Sequence, residues 1–248
     1  MKLLAFDTST DAMSIAVSRD DGAAAGLWQL QGEGGAKASA GLIAGVLDLM
    51  RQAGMELREL DAICFGCGPG SFTGLRTACA VAQGLAFGAD VPVLPVNSLL
   101  AVAEEARHST LAAATSGQIT ALLDARMDEI YTATFAFEAG VWSELQPATL
   151  LKPEGVTLPP PRSGEAAAAG NAFAVYGERL MGLPPAAARI HALPQATAML
   201  RLAPQLLAAG KAVSAEHALP TYVRDKVAQT TAERAAIKAA QAAATKLL

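Results

Sequence analysis

The chain has 248 residues, 52% of them hydrophobic and 17% charged, with a formal net charge of -4. That length allows one large domain or two of about 100–125 residues, each burying its own core. An acidic balance argues against a protein that grips nucleic acid alone, because phosphate neutralisation supplies most of that affinity and needs a basic face.

At the N-terminus Asp7 interrupts the first apolar run, which is too short for a signal peptide. The longest apolar stretch, residues 79–93, contains Gln83 and Asp90 and falls short of the roughly 20 residues a membrane helix requires. A cytoplasmic protein without membrane association is therefore expected. Cys64, Cys67 and Cys79 suit a reducing compartment and form no disulfide framework.

Residues 3–8 form an apolar run, residues 13–18 alternate with period two, and Asp20-Asp21-Gly22 turns into a third strand over 24–30. A helix is predicted over 37–52, ended by Gly54, then a short buried strand over 62–66. A glycine-rich turn, Gly68 to Gly74, leads into a helix to about Phe87; a strand over 92–96 and a short helix capped by Asn97-Ser98 follow. The order β-β-β-α-β-α-β-α predicts a mixed sheet whose parallel strands are covered by helices.

The second half begins in the same way. Residues 121–128 lie over residues 4–11 without a gap, so that Asp124 matches Asp7 and Asp128 matches Asp11. An alternating strand over 130–137 comes next, which makes two copies of one strand–turn–strand unit and points to a duplicated α/β fold with two lobes. Four prolines between 152 and 162 mark a surface loop, 166–181 reads as strand, turn and helix, and 195–209 as an amphipathic helix ending at Gly210. The expected division is a first lobe over 1–108, a second over 109–227 and an Ala-rich helical tail over 228–248. From residue 221 onward five basic residues stand against two acidic ones, a solvated surface or a contact for RNA or a partner.

Asp7 and Asp124 are candidates for chemistry. In a duplicated fold both sit at strand ends facing the inter-lobe cleft, where two carboxylates can hold a hydrated divalent cation beside nucleotide phosphates. The alternative is that each accepts hydrogen bonds from its own tight turn. A phosphate cradle normally needs glycine, and neither Thr8-Ser9-Thr10 nor Ala125-Arg126-Met127 has one. The glycines of 68–74 fall as G-x-G-x-x-x-G and no Lys-Ser or Lys-Thr follows, so this is neither a P-loop nor a dinucleotide fingerprint. It is a structural turn or an anion seat at a helix start, with Ser71 and Thr73 as cap candidates.

Cys64 and Cys67 have Cys-x-x-Cys spacing but no second pair for zinc, and His108, His191 and His217 are scattered. No metal or catalytic residue is assigned. The helix over 37–52 carries Leu42, Ile43, Val46, Leu47, Leu49 and Met50, a band broader than one packed face requires, while the helix over 73–87 offers a small face of Ala78, Ala82 and Ala86. Core packing accounts for part of this band, and a second subunit's helices can cover the rest.

Residues 4–10, 66–76, 82–86, 124–131 and 220–224 together resemble the bacterial TsaB (YeaZ) family, in order and over about 1–224. The resemblance implies an actin-like (ASKHA, ribonuclease H-like) fold and a non-catalytic scaffold in making threonylcarbamoyladenosine next to the anticodon of tRNAs. The implied partners are a TsaD-type transferase, met through the two first-lobe helices, and a TsaE-type ATPase, with tRNA reached only through the complex. A homodimer uses the same surface. The implied contact set is Leu42, Ile43, Val46, Leu47, Met50, Ala78 and Ala82, and Val46→Glu or Leu47→Glu is expected to abolish binding while leaving the monomer folded. Asp7, Ser9, Gly70, Ser71, Asp124 and Arg126 form a vestigial nucleotide cleft. No cofactor is expected beyond weak nucleotide binding at the interface or in the cleft. The competing reading is a working actin-like ATPase or kinase using Asp7 and Asp124. Where many family members have a histidine-bearing polar stretch, this chain has Gly34-Gly35-Ala36-Lys37-Ala38-Ser39.

Overall fold

The computed structural model describes residues 1–20, 22, 25–161, 164–184 and 187–224. The Ala-rich tail expected over 228–248 lies outside them. The first half forms β1 (Lys2–Asp7), β2 (Ala12–Asp20), β3 (Ala25–Glu33), α1 (Ala38–Gln52), β4 (Ala62–Gly68), α2 (Phe72–Ala89), β5 (Val93–Asn97) and α3 (Ser98–Thr110). The second forms β6 (Ser116–Arg126), β7 (Glu129–Glu138), β8 (Val141–Leu151), β9 (Glu165–Gly170), α4 (Ala172–Tyr176), β10 (Ala188–Ile190) and α5 (Ala196–Ala208).

The two sheets have orders β3-β2-β1-β4-β5 and β10-β9-β6-β7-β8. In each, three antiparallel strands are extended on one side by two parallel ones. One mixed sheet therefore occurs twice, which is the duplicated actin-like α/β fold read from the repeat. β8 and β10, absent from the sequence reading, are the edge strands of the second sheet; β8 contains Pro147, which an edge tolerates and a central strand does not. The helix expected over 171–181 is shorter, α4 followed by a single 3-10 turn.

Period two divides the strand residues between layers. Leu3 and Ala5 face a core shared by both sheets with α3 and α5 between them, and Leu4 and Phe6 face the outer core under α1 and α2. A third core lies under α4, around Leu122 and Ile130. α3 begins at Asn97, whose side chain accepts from the amides of Leu99 (2.8 Å) and Leu100 (3.3 Å). The boundary expected at residue 108 falls within α3, and that expected at 227 lies outside the described residues. α3 packs on both sheets, and residues 213–222 return to the first lobe. There Val213 bridges Val93, the Cys79 thiol and Gln83 amide donate to the Ala218 carbonyl, and Thr221 donates to the Cys67 carbonyl.

Glu104 of α3, almost fully buried, is held in the shared core by Arg107, Arg201 and the Trp142 indole, with donor distances of 2.7–3.0 Å. Burial works to raise its pKa, but these hydrogen bonds outweigh it and hold the carboxyl below the usual range.

Candidate functional site: an inter-lobe cleft and an outer helical face

Three chain turns meet between the lobes: the β1–β2 turn, the entry to α2 and the β6–β7 turn. They enclose a cavity of about 300 Å³. Ser9, Gly70, Ser71, Asp124 and Arg126, predicted for this cleft, all line it. The sequence reading did not place Tyr131, Asn171 or Arg224 in it, and they line it as well.

The glycine-rich turn is built for close approach. A Cβ on Gly74 would stand 1.8 Å from the Thr8 carbonyl oxygen, and one on Gly70 would stand 2.5 Å from Ser9 Cβ. The start of α2 is thereby pressed against the β1–β2 turn, where Thr8 Oγ1 donates to the Gly74 carbonyl at 2.7 Å and the Ser71 amide donates to the Ser9 carbonyl at 2.7 Å. Ser71 is the N-cap; its hydroxyl accepts from the Gly74 amide.

Asp7 departs from expectation. It is fully buried beneath the cleft rather than facing it, and does not line the cavity. Its Oδ1 accepts from the amide and hydroxyl of Ser9 (2.7 Å each) and its Oδ2 accepts from Ser98 (2.9 Å). Burial pushes its carboxyl up, against these three hydrogen bonds. Asp124 does face the cavity. Its Oδ1 accepts from the amide of Arg126 (2.9 Å) and from the Tyr176 hydroxyl (2.8 Å), and its backbone amide donates to Asn171 Oδ1 (2.8 Å). Burial and the bond to Asp124 push the Tyr176 phenol up to about 12. Both aspartates thus accept from the amide two residues on in their own turns. The facing carboxylate pair that an ATPase or kinase reading needs is not assembled, because the β1 end is roofed by Ser9 and α3.

Arg126, Met127 and Asp128 are consecutive non-glycine residues with φ of 60°, 54° and 64°. Such a run is sterically costly and persists only when its surroundings fix it. Arg224 does so from the far end of the chain: its Nη2 donates to the carbonyls of Ala125 (3.1 Å) and Arg126 (3.3 Å) and to the Glu129 carboxylate (2.6 Å). Arg179 pairs with Asp128, and Arg126 with Asp11 across the cleft.

The cysteines carry no chemistry here. Cys64 faces the shared core and Cys67 the outer core, since residues three apart on a strand point to opposite sides. Burial raises their thiols to about 12 and about 11. Among the described residues no group of three or more His, Cys, Asp or Glu is placed to hold a metal ion, and no helix is long and apolar enough to cross a membrane.

The helical face corrects the predicted contact set. Leu42, Val46, Met50, Ala78 and Ala82 are buried in the outer core beneath α1 and α2. They cannot meet a partner without unpacking the first sheet. Ile43 and Leu47, the other two, are about half exposed. Phe87, near the end of α2, is 83% exposed and was not in the predicted set. The 3.6-residue period places 43 and 47 one turn apart, on the side of α1 turned from the sheet.

Comparison with known proteins identifies the group. A family model described as "TsaD: tRNA N6-adenosine threonylcarbamoyltransferase" matches residues 37–247. The tRNA threonylcarbamoyladenosine biosynthesis protein TsaB of Escherichia coli (strain K12) is 34% identical over 92% of this chain and 96% of its own length. The chain belongs to the TsaB (YeaZ) family. Its TsaB relative in Haemophilus influenzae is 32% identical over 92% of this chain and 95% of that protein. The solved structure of YeaZ from Pseudomonas aeruginosa, 36% identical, superposes with a TM-score of 0.77 over 89% of this chain and 99% of that one. The blocks over 4–10, 66–76, 124–131 and 220–224 that resemble the TsaB family share a physical meaning: each contributes residues to the wall of the cleft.

Proposed function

We propose that this chain is a non-catalytic subunit that binds a TsaD-type transferase through the outer face of α1 and α2. As a TsaB family member it acts in tRNA threonylcarbamoyladenosine biosynthesis, the role named for its E. coli and H. influenzae relatives. The observation that carries the mode of action is the exposed apolar side chains of these two helices: Ile43 and Leu47 along α1, and Phe87 at the end of α2 beside residues 212–216. Large apolar side chains held in water on a rigid helical layer are suited to association with another helical surface.

The non-catalytic reading is supported by Asp7, whose carboxylate is spent on Ser9 and Ser98. A TsaE-type ATPase joins the assembled pair, and tRNA meets this chain only in the complex. The same face closes a homodimer when the transferase is lacking, and the protein works in the cytoplasm.

The test is co-purification with the TsaD homologue of the same cell, with and without tRNA. Phe87→Glu is expected to keep the wild-type circular dichroism and lose the partner. Undiminished retention of the transferase by this variant would remove the face from consideration.

A further inference from the structure

We propose that the outer edge of β3 pairs with β3 of a second copy of this chain, antiparallel and centred on Gln29, joining two five-stranded sheets edge to edge. A sheet edge presents unpaired backbone N–H and C=O groups, and native proteins blunt it with prolines, bulges, charges, short strands or a covering segment. Of the four sheet edges among the described residues, three are blunted. β5 contains Pro95 and is paired at Val93 by Val213. β8 contains Glu144 and Pro147, and its pairing with β7 shifts register twice. β10 has only three residues.

β3 has none of these devices. It pairs with β2 over all nine residues without a register shift. It carries no proline or lysine, and Glu33 at its end is its only charge. Alternate residues of such a strand turn their backbone groups away from β2, and no described strand receives them. All of its residues except Gly26 and Trp28 are exposed, among them Leu27 at 56% and Leu30 at 39%.

The order of residues in β3 favours a second copy over an extended segment of another protein. Ala-Gly-Leu-Trp-Gln-Leu-Gln-Gly-Glu is close to a palindrome. Antiparallel pairing centred on Gln29 sets Gly26 against Gly32 of the second copy, Leu27 against Gln31, Trp28 against Leu30, and Gln29 against itself. Such a contact is isologous, so each pair occurs twice. Trp28 and Leu30 lie on the α1 side of the sheet, and an aromatic side chain opposite an aliphatic one is a favourable cross-strand pair. The Trp28 ring lies over Gly26, where a Cβ would stand 2.3 Å from it. Glycine directly opposite Gly26 leaves both rings uncrowded at the seam. Glu33 faces Ala25, so no like charges meet.

Cysteine cross-linking of the full chain tests the register. Opposed residues of an antiparallel pair have Cα atoms about 4.5 or 5.5 Å apart, within reach of a disulfide. Gln29→Cys is therefore expected to form a covalent dimer under mild oxidation. Leu27→Cys faces Gln31 instead, and the two copies of residue 27 lie four residues apart along the strands, roughly 13 Å, which is beyond that reach. The native cysteines are buried. Equal cross-linking at 27 and 29 is random collision and would overturn the proposal, as would none at 29. Gln29→Lys and Gln29→Glu each set like charges face to face at an exposed position, and their circular dichroism should match the wild type. In sedimentation equilibrium on the Phe87→Glu background, which blocks association through the helical face, each should weaken dimerisation about three- to tenfold. An equimolar mixture of the two should restore it. A monomer at every concentration leaves the edge to another protein's extended segment and overturns self-pairing; so does a dimer indifferent to charge at 29. Gln29→Lys should retain the TsaD homologue as the wild type does, so this proposal and the helical partner face fail separately.

Discussion

Val46 and Leu47 are neighbours in sequence and opposites in environment, which makes one experiment decisive for the packing and for the partner face. Val46 is fully buried in the outer core; Leu47 is 51% exposed. Placing glutamate at 46 forfeits about 1.5–3 kcal/mol of side-chain burial and adds several kcal/mol for an unpaired carboxylate in an apolar layer. The sum, about 5 kcal/mol or more, approaches the whole stability of an ordinary domain. Glutamate at 47 meets solvent and should change stability by no more than about 0.5 kcal/mol, or under about 2 °C in melting temperature for a chain of this size. Against the transferase the order is different: an apolar anchor replaced by a charge should cost more than about 2 kcal/mol, roughly thirtyfold in affinity. Circular dichroism melts and titration calorimetry with the purified TsaD homologue measure both. A cooperative wild-type melt for Val46→Glu would refute the packing. Unaltered affinity in Leu47→Glu would refute the face.

Glu104→Gln leaves Arg107 and Arg201 against a neutral amide in the shared core. Since both arginines keep some solvent, a loss of about 2–4 kcal/mol is expected, or roughly 5–10 °C in melting temperature. Because the folded carboxyl sits below its usual value of 4.5, its contribution is present above that pH and is lost as pH falls through the folded value; urea titrations at successively lower pH, starting from neutral, should show the wild type losing its lead over Glu104→Gln. Asp7 has the reverse sign. Its raised carboxyl contributes stability present below 3.8 and lost as pH rises through the folded value, so wild type should decline relative to Asp7→Asn as pH rises from there. A difference independent of pH would contradict the burial of that carboxyl.

The arrangement of elements was legible because it rests on local periodicities. Alternation over 13–18 and 130–137, the matched aspartates at 7 and 124, and the Asn97 cap are each written within a few residues. The duplication follows from laying one half on the other. β8 and β10 escaped because edge strands need bury little, so neither carries a strong pattern. Tyr131 and Arg224 stood inside segments quoted for the TsaB family, but their meeting at the cleft depends on residues 213–224 crossing back over α2.

The sequence by itself determined the repeated strand–turn–strand unit, the helices of the first lobe and the family. It also set the turn role of both aspartates, since an Asp side chain reaches the amide two residues on whatever surrounds it. Only the tertiary structure decided which sector of α1 faces the sheet. Leu42, Ile43, Val46, Leu47, Leu49 and Met50 are all apolar and span more than one packed stripe, so burial of 42, 46, 49 and 50 and exposure of 43 and 47 depend on how the helix is rolled against β2 and β3. Tertiary packing likewise roofed Asp7 with Ser98 of α3 while leaving its counterpart Asp124 at the cleft. Two equivalent residues in a repeat thereby came to differ, because burial belongs to the assembled layers and not to the segment that carries the side chain.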